Sequence, residues 1–209
     1  MIRPRVSFFH ATPSRSLGTL ALLEELGADY ELHLLDLAAG TQRQPAYLAI
    51  NPMGKVPAIL HQGALVAEQP AVFIYLADLY SEAGLAPAVD DPLRGPYLRW
   101  LVFYGSCFEP ALLDRSMQRE PAPAARSPYG SWDDVLNALT AQLAHGPWLL
   151  DERFTAADVL WGIALDWTVK FGMVPETPAI RAYIDRVTVR PAIRRAVEKD
   201  AALRAAKQG

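Results

Sequence analysis

The sequence predicts a small mixed α/β domain followed by an all-helical domain. Within the first 80 residues, segments with strand and helix periodicity follow in the order strand, helix, strand, and then strand, strand, helix. Residues 81–96 hold five glycines and prolines, which is typical of a linker. Beyond this linker every periodic segment has the apolar spacing of a helix. We therefore expect one domain over residues 1–82 and a second over residues 93–209.

The first three elements are predicted from short and distinct patterns. Residues 6–9 are an apolar run that indicates a buried strand. Residues 14–26 carry apolar side chains at helical spacing and stop before Gly27, which predicts an amphipathic helix. Residues 30–35 alternate between polar and apolar, which predicts a strand that runs parallel to the first after the helical crossover.

The next three elements follow a loop and a short helix. Residues 57–61 and 64–66 predict the two strands of a hairpin that turns at Gln62 and Gly63. Residues 71–80 predict a helix. Together with the preceding strand–helix–strand segment, this order is the one that a thioredoxin-like fold requires.

The second domain is predicted to consist of helices alone. They are expected at residues 96–118, 131–145, 155–171, 177–188 and 191–206. The third has a recognisable start, because Thr155 is a good N-cap and Asp158 can reach back to it. We interpret this pair as structural, since it fixes where a buried helix begins and supplies no chemistry.

The composition is that of an ordinary globular protein. Of the 209 residues 51% are apolar and 21% are charged, and the net charge of −3 gives no general attraction to nucleic acid or to a membrane surface. The single cysteine, Cys107, excludes an intrachain disulfide and a CxxC redox pair. The apolar run nearest to the basic N-terminus is short and carries Glu24 and Glu25, so it is neither a signal peptide nor a membrane span, and we expect a cytoplasmic protein.

Neither a metal nor a nucleotide cofactor is expected. The histidines lack the spacing of metal ligands, and the chain has no glycine-rich phosphate loop. The four histidines are His10, His33, His61 and His145.

The most informative segment, residues 51–57, reads Asn-Pro-Met-Gly-Lys-Val-Pro. Pro57 stands at the start of a predicted strand, and its bond to Val56 can adopt the cis form at low cost. A cis bond would turn the backbone groups of Val56 outward, toward an extended peptide-like ligand. Glu68 then precedes a helix opened by Pro70, where free N–H groups suit a carboxylate and Glu68 suits an ammonium group. A small zwitterionic peptide would satisfy all of these groups.

These motifs resemble the N-terminal domain of the cytosolic, bacterial-type glutathione transferases. The resemblance rests on the Asn-Pro-x-Gly-Lys-Val-Pro segment, on Glu68 and on the Tyr-Leu-Ala-Asp run at residues 75–78, and it extends over nearly the whole chain. It implies that glutathione is a co-substrate and that no cofactor is bound permanently. It also implies a small hydrophobic electrophile or a peroxide as second substrate, and a homodimer.

Family members stabilise the glutathione thiolate with a side chain between the first strand and the first helix. Three hydroxyls compete for this role here, those of Thr12, Ser14 and Ser16. The Ser14-Arg15-Ser16 run resembles related bacterial enzymes and favours Ser14, with Thr12 as the second choice because it precedes Pro13. Each of the three could equally be an ordinary helix cap.

The resemblance assigns glutathione-binding roles to five further residues. Lys55 and Val56 would hold the glycine end and the backbone of the tripeptide, and Pro57 would shape the strand. Glu68 and Gln69 would hold the γ-glutamyl group. Gln69 replaces the serine usual in the family, but its backbone N–H remains available. Lys55 could also be a surface lysine of a turn.

The predicted pocket for the second substrate lies between the domains and is lined by an aromatic stripe. Trp100, Tyr104 and Phe108 recur every four residues on one helix, so they share a face. The same spacing is also typical of a buried core. If the stripe faces a pocket, it suits flat apolar electrophiles, with Tyr104 able to donate a hydrogen bond.

Two other functions remain open. The altered Glu68-Gln69 pair is compatible with a binding or interaction protein that has kept the fold and lost the chemistry. A glutathione-dependent isomerase is the other alternative, although members of that type have a Ser-Ser-Cys run where this chain has Pro13-Ser14-Arg15.

Overall fold

The computed structural model describes residues 5–120, 122–123 and 125–207. The chain divides into two compact units. The first consists of the residues up to Gly84 together with those from Val189 onward, and the second is Leu85–Thr188. The last helix therefore belongs to the first unit by its contacts. The domain boundaries expected from the sequence, whose outer ends lie outside the described residues, stay a prediction.

Four strands form the sheet of the first unit: β1 (Val6–His10), β2 (Tyr30–Leu34), β3 (Ala58–His61) and β4 (Ala64–Ala67). Their order across the sheet is β2-β1-β3-β4. β1 and β2 run parallel, with Val6 opposite Tyr30, whereas β3 is antiparallel to both β1 and β4. The predicted thioredoxin-like arrangement is confirmed.

The α-helices of the described chain are α1 (Ser16–Glu25), α2 (Pro45–Leu48), α3 (Gln69–Leu79), α4 (Arg94–Phe103), α5 (Glu109–Ser116), α6 (Trp132–Leu143), α7 (Ala156–Lys170), α8 (Pro178–Thr188) and α9 (Pro191–Ala206). The predicted helix at residues 96–118 is α4 and α5, joined by a π-helical turn at Tyr104–Phe108. The second unit is mostly helical, as predicted. Among the described residues, none of the helices has the length and apolar character that a membrane span requires.

The core of the first unit lies around α1, which contacts β1, α3 and α9. Leu20 and Leu23 on α1, Val72 on α3 and Phe8 on β1 are fully buried. Burial of each such side chain contributes about 2 kcal/mol relative to exposure. This packing holds the turn between β1 and α1 in a fixed position.

An ion pair fastens the start of α9 to the end of α1. Arg190 Nε and Nη2 donate hydrogen bonds of 2.7 and 2.8 Å to the two carboxylate oxygens of Glu25. The Glu25 side chain is only 7% exposed, so the pair is shielded from water on that side. Such a bidentate pair fixes geometry as well as adding energy.

Asp158 organises the centre of the second unit, and its side chain is completely buried. Its Oδ2 accepts a 2.9 Å hydrogen bond from the Thr155 N–H, as the predicted helix start requires. Its Oδ1 accepts from the Leu149 N–H at 2.8 Å and from the Tyr183 hydroxyl at 2.9 Å. Burial nevertheless raises the pKa of Asp158 to about 6.

Candidate functional site

The turn between β1 and α1 separates the three hydroxyls that compete for the thiolate. Ser14 is half-buried and lines a pocket, whereas the Ser16 side chain is completely buried. The Thr12 hydroxyl donates a 2.8 Å hydrogen bond to Asp200 Oδ2 on α9. The Thr12–Pro13 bond within this turn is cis. Of the three, Ser14 lines this pocket, Thr12 lines an adjoining one, and Ser16 lines neither.

The pocket beside Ser14 has a volume of about 310 Å³. It brings Ser14 together with two of the predicted glutathione-binding residues, Lys55 and Val56. Glu68 and Gln69 are not among its lining residues. The pocket is lined by Pro13, Ser14, Arg15, Leu37, Gln42, Arg43, Gly54, Lys55 and Val56.

Two side chains hold the loop that carries Val56 in place. The Tyr47 hydroxyl and Asn51 Nδ2 donate hydrogen bonds of 2.6 and 2.9 Å to the carbonyl oxygen of Lys55. Val56 itself, followed by a cis bond to Pro57, makes no hydrogen bond to any described residue through its backbone. Its N–H and C=O are therefore available to an extended ligand. Sequence reasoning missed the supporting role of Tyr47 and Asn51.

Gly54 allows the pocket wall to close. It has a φ of +58°, and a Cβ at this position would lie 2.7 Å from the backbone oxygen of Gln42. Any other residue would push the two loops of the wall apart. Arg43 Nη1 donates a 3.2 Å hydrogen bond to the Met53 carbonyl in the same wall, which holds its guanidinium at the pocket.

Glu68 and Gln69 lie at the start of α3. Glu68 is the exposed N-cap residue and has a φ of 65°, a conformation that side-chain-bearing residues seldom adopt. Such local strain costs on the order of 1 kcal/mol and is often found at ligand sites. Gln69 Nε2 donates a 3.1 Å hydrogen bond to the Arg15 carbonyl, which links this helix start to the turn that carries Ser14.

A row of polar groups extends inward from Ser14, and we name Ser14, Ser16, His10 and Asp200 the polar row. Ser14 Oγ lies 2.6 Å from Ser16 Oγ, which lies 2.8 Å from His10 Nδ1. His10 Nε2 lies 2.9 Å from Asp200 Oδ1, close enough for an ion pair but outside hydrogen-bond geometry. No local pattern of residues indicates this row beyond the Ser-x-Ser pair, because Asp200 is 190 residues from His10.

A second pocket, of about 380 Å³, adjoins the first and shares Pro13 and Leu37 with it. Its other lining residues are Thr12, Ala38, Arg204 and Lys207. Lys207 Nζ lies 2.6 Å from Asp36 Oδ1, and this contact lowers the pKa of the Asp36 carboxyl. Arg204 is exposed and forms no ion pair with a described residue. The second pocket is thus positively charged on one side.

The aromatic stripe of the second unit is buried. Trp100, Tyr104 and Phe108 are 2%, 2% and 1% exposed. Their rings surround Trp161, with ring-centroid distances of 5.8, 5.5 and 4.9 Å. Of the two roles that the sequence allowed, core packing is the one that this burial favours. The pocket role stays a prediction, supported only by Trp100, which borders a cavity of about 490 Å³ within the second unit.

Comparison with known proteins assigns both parts of the chain to the same kind of protein. Residues 5–78 match the family described as glutathione S-transferase, N-terminal domain, and residues 76–191 match the corresponding C-terminal domain.

Similar individual proteins carry more than one activity. The chain is 29% identical to a disulfide-bond oxidoreductase, YfcG, of Escherichia coli, over 92% of this chain and 94% of that protein. It is 30% identical to a maleylacetoacetate isomerase of Pseudomonas aeruginosa, over 81% of this chain and 84% of that protein. A sphingomonad glutathione S-transferase, solved in complex with glutathione, has a TM-score of 0.76 at 31% identity and is matched over 93% of this chain and 98% of its own.

Proposed function

Because the chain belongs to the glutathione S-transferase family, we propose that it binds glutathione in the pocket of Ser14 and Val56 and uses the Ser14 hydroxyl to stabilise the thiolate. The observation that supports this proposal is the shared pocket. It contains the Ser14 hydroxyl just before α1 and, in Val56 just before β3, a residue whose backbone groups make no hydrogen bond to the described residues. An extended tripeptide needs both, one for its thiol and the other for its backbone.

The chemical benefit of Ser14 is a lower pKa of the bound thiol. A free thiol has a pKa of about 8.5, so only a small fraction is ionised at neutral pH. A hydroxyl that donates to the thiolate lowers this pKa, and each unit corresponds to about 1.36 kcal/mol. The positive end of α1 acts in the same direction.

The charged ends of glutathione have matching partners around this pocket. Arg43 and Lys55 line it and would attract the glycine carboxylate. The free N–H groups at the start of α3 would donate hydrogen bonds to the γ-glutamyl carboxylate, and the Glu68 carboxylate would attract the ammonium group. We propose that Gln69 binds the γ-glutamyl group of glutathione through its backbone N–H.

The second substrate is proposed to enter through the adjoining pocket, over Pro13 and Leu37. The thiolate would add to a hydrophobic electrophile or reduce a peroxide there. Since the similar proteins include an isomerase and an oxidoreductase, glutathione-dependent isomerisation is the second candidate reaction. We further propose that the protein is cytoplasmic and forms a homodimer. Light scattering after size exclusion tests the dimer, since the monomer has a mass of 23.0 kDa.

The deciding experiment measures the ultraviolet absorbance of the bound thiolate against pH for the wild type, Ser14→Ala, Ser14→Thr and Thr12→Ala. We expect Ser14→Ala to raise the pKa of the bound thiol and Ser14→Thr to keep it low. A larger shift in Thr12→Ala would move the role to Thr12. Glutathione retention without thiolate, and without turnover of a chloronitrobenzene or a hydroperoxide, would support the non-catalytic binding protein instead.

A further inference from the structure

The polar row leads from the pocket to a buried acid–base pair. Only Ser14 reaches the pocket, while the side chains of Ser16 and His10 are completely buried behind it. Successive polar atoms lie 2.6, 2.8 and 2.9 Å apart. A proton can be transferred along this row, which consists of two hydroxyls, an imidazole and a carboxylate. None of these side chains has to move for the transfer.

We propose that the polar row is a proton relay in which His10 takes up the proton that the glutathione thiol loses. The relay rests on the proposed function, since it needs the thiol beside Ser14. His10 and Ser16 are positioning residues in this scheme, because they act on the thiol only through Ser14.

The hydrogen bonds of the polar row can be oriented in two directions, either toward His10 or toward the pocket. A lone pair on His10 Nε2 would face the Asp200 carboxylate at 2.9 Å, so the neutral ring keeps its proton on Nε2 and accepts on Nδ1. Ser16 then donates to His10, and Ser14 donates to Ser16 or to the Ala11 carbonyl, which lies 2.7 Å away. In this direction the Ser14 hydrogen is not available to a thiolate.

The opposite direction supplies the hydrogen that a thiolate needs. Once Nδ1 carries a proton, His10 donates to Ser16, Ser16 donates to Ser14, and Ser14 donates to sulfur. Both serine oxygens keep the acceptor bonds that the structure shows: Ser14 Oγ accepts from the Ser16 N–H and Ser16 Oγ accepts from the Ala11 N–H, each at 3.1 Å.

The proton balance is closed within the site. The S–H bond of glutathione breaks and its proton goes to Ser14 Oγ, the Ser14 proton goes to Ser16 Oγ, and the Ser16 proton goes to His10 Nδ1. Both serines end as neutral hydroxyls with reversed hydrogen bonds. The products are a thiolate and an imidazolium, so the net charge of the complex does not change and no further reactant is needed.

The Asp200 carboxylate lowers the free-energy cost of a buried imidazolium at His10. A charge in a buried position needs an opposite charge nearby. The groups beside the His10 ring include the Asp200 carboxylate from α9 and the Ser16 hydroxyl from α1. The Phe8 ring from β1 also lies beside it, with the two ring centroids 5.5 Å apart. Thr12 holds the other Asp200 oxygen at 2.8 Å and so keeps the carboxylate turned toward the ring.

The first test compares Ser16→Ala, Asp200→Asn and Ser14→Ala for the pKa of the bound thiol and for the pH profile of kcat. We expect Ser16→Ala and Asp200→Asn to raise the pKa of the thiol by about one unit, or about tenfold less thiolate at neutral pH. At a pH where free glutathione is itself ionised, both variants should recover wild-type kcat and glutathione affinity. A loss that persists at high pH would show a merely structural role, and Asp200→Glu should restore part of the effect.

The outcomes separate the relay from the proposed function. If Ser14→Ala raises the pKa of the thiol and the other two variants do not, Ser14 acts alone and the relay is wrong. If Ser14→Ala leaves the pKa of the bound thiol unchanged, the proposed role of Ser14 is wrong, and the relay, which depends on it, is wrong as well.

A second test uses the wild type only and does not depend on variants that fold. Glutathione is added in weakly buffered solution at neutral pH, and the thiolate formed and the protons released are measured together. The relay predicts thiolate formation with almost no proton release, because His10 keeps the proton. Release of one proton per thiolate would overturn the relay.

Discussion

Gln69 Nε2 donates a hydrogen bond of 3.1 Å to the carbonyl oxygen of Arg15. This bond joins the first residue of α3, beside the proposed γ-glutamyl site, to the turn that carries Ser14 at the proposed thiol site. The side chain that stands where the family usually has serine thus holds two parts of the site at a fixed distance. A glutathione molecule that binds both parts depends on this distance.

Gln69→Ala should therefore weaken glutathione binding. The free protein already has this amide hydrogen bond, so its loss affects binding only through the position of the two parts of the site. We expect at most about 1 kcal/mol, or up to about fivefold in the Kd of glutathione. The measurement is calorimetric titration of glutathione. Gln142→Ala is the matched control, since its amide donates to the Leu149 carbonyl at 3.1 Å in the second unit. An unchanged Kd in Gln69→Ala would mean that the link has no part in binding.

The same element shows what the sequence could and could not predict. The start of α3 and the Val56-Pro57 segment were found because their signals lie in adjacent residues. The Gln69–Arg15 bond joins residues 54 apart and depends on how α3 packs beside α1. No local pattern contains that information.

The hydroxyls and the aromatic stripe illustrate two other limits. The sequence favours Ser14 but leaves Thr12 and Ser16 as competitors, and only the turn geometry separates them: Ser14 lines the first pocket, Thr12 bonds to α9, and Ser16 is buried in the core. The four-residue spacing of Trp100 and Tyr104 fixes a shared helix face. It does not say whether that face meets a ligand or, as here, Trp161.

Tyr47→Phe tests the support of the loop that carries Val56. The Tyr47 hydroxyl bonds to the Lys55 carbonyl at 2.6 Å, and its removal should lower the free energy of unfolding by about 1 kcal/mol and raise the KM for glutathione. The matched control is Tyr75→Phe, which loses a 2.7 Å bond to His61 in the same unit. We expect the control to lose similar stability in urea without any change in KM. Equal KM values for both variants would contradict the proposed role of the loop.

Asp158 predicts an unusual pH dependence of stability. Burial raises its pKa to about 6 in the folded state, above the value of about 3.9 in an unfolded chain. Between these values the folded state binds more protons, so the free energy of unfolding falls as pH rises from 4 to 6 and is constant above. The contribution is on the order of 3 kcal/mol.

Urea unfolding of the wild type and of Asp158→Asn from pH 4 to pH 7 measures this contribution. Asparagine does not titrate, and its NH₂ group cannot accept the hydrogen bond that the Thr155 N–H donates to Oδ2. The variant should therefore be less stable at every pH, but its deficit should shrink as pH rises. A deficit that grows with pH would show that the folded state lowers the pKa of Asp158 instead of raising it.

Arg204 predicts a preference among second substrates. It lines the pocket that adjoins the thiol site and has no ion-pair partner among the described residues, whereas Lys207 is paired with Asp36. An acceptor that carries a carboxylate should therefore be favoured over its neutral ester. Because Arg204 is exposed, the gain is modest, about 0.5–1 kcal/mol or about twofold to fivefold in kcat/KM, and it should decrease with added salt.

The variant Arg204→Gln should abolish this preference by lowering kcat/KM for the carboxylate acceptor and leaving that for the ester unchanged. Arg194→Gln removes the same charge from an exposed position of α9 outside this pocket, so it corrects for the net charge of the protein. An equal loss in both variants would show that the effect is general steering by net charge. An unchanged preference in Arg204→Gln would place the second substrate away from the C-terminal end of α9, and the proposed entry over Pro13 and Leu37 would then be wrong.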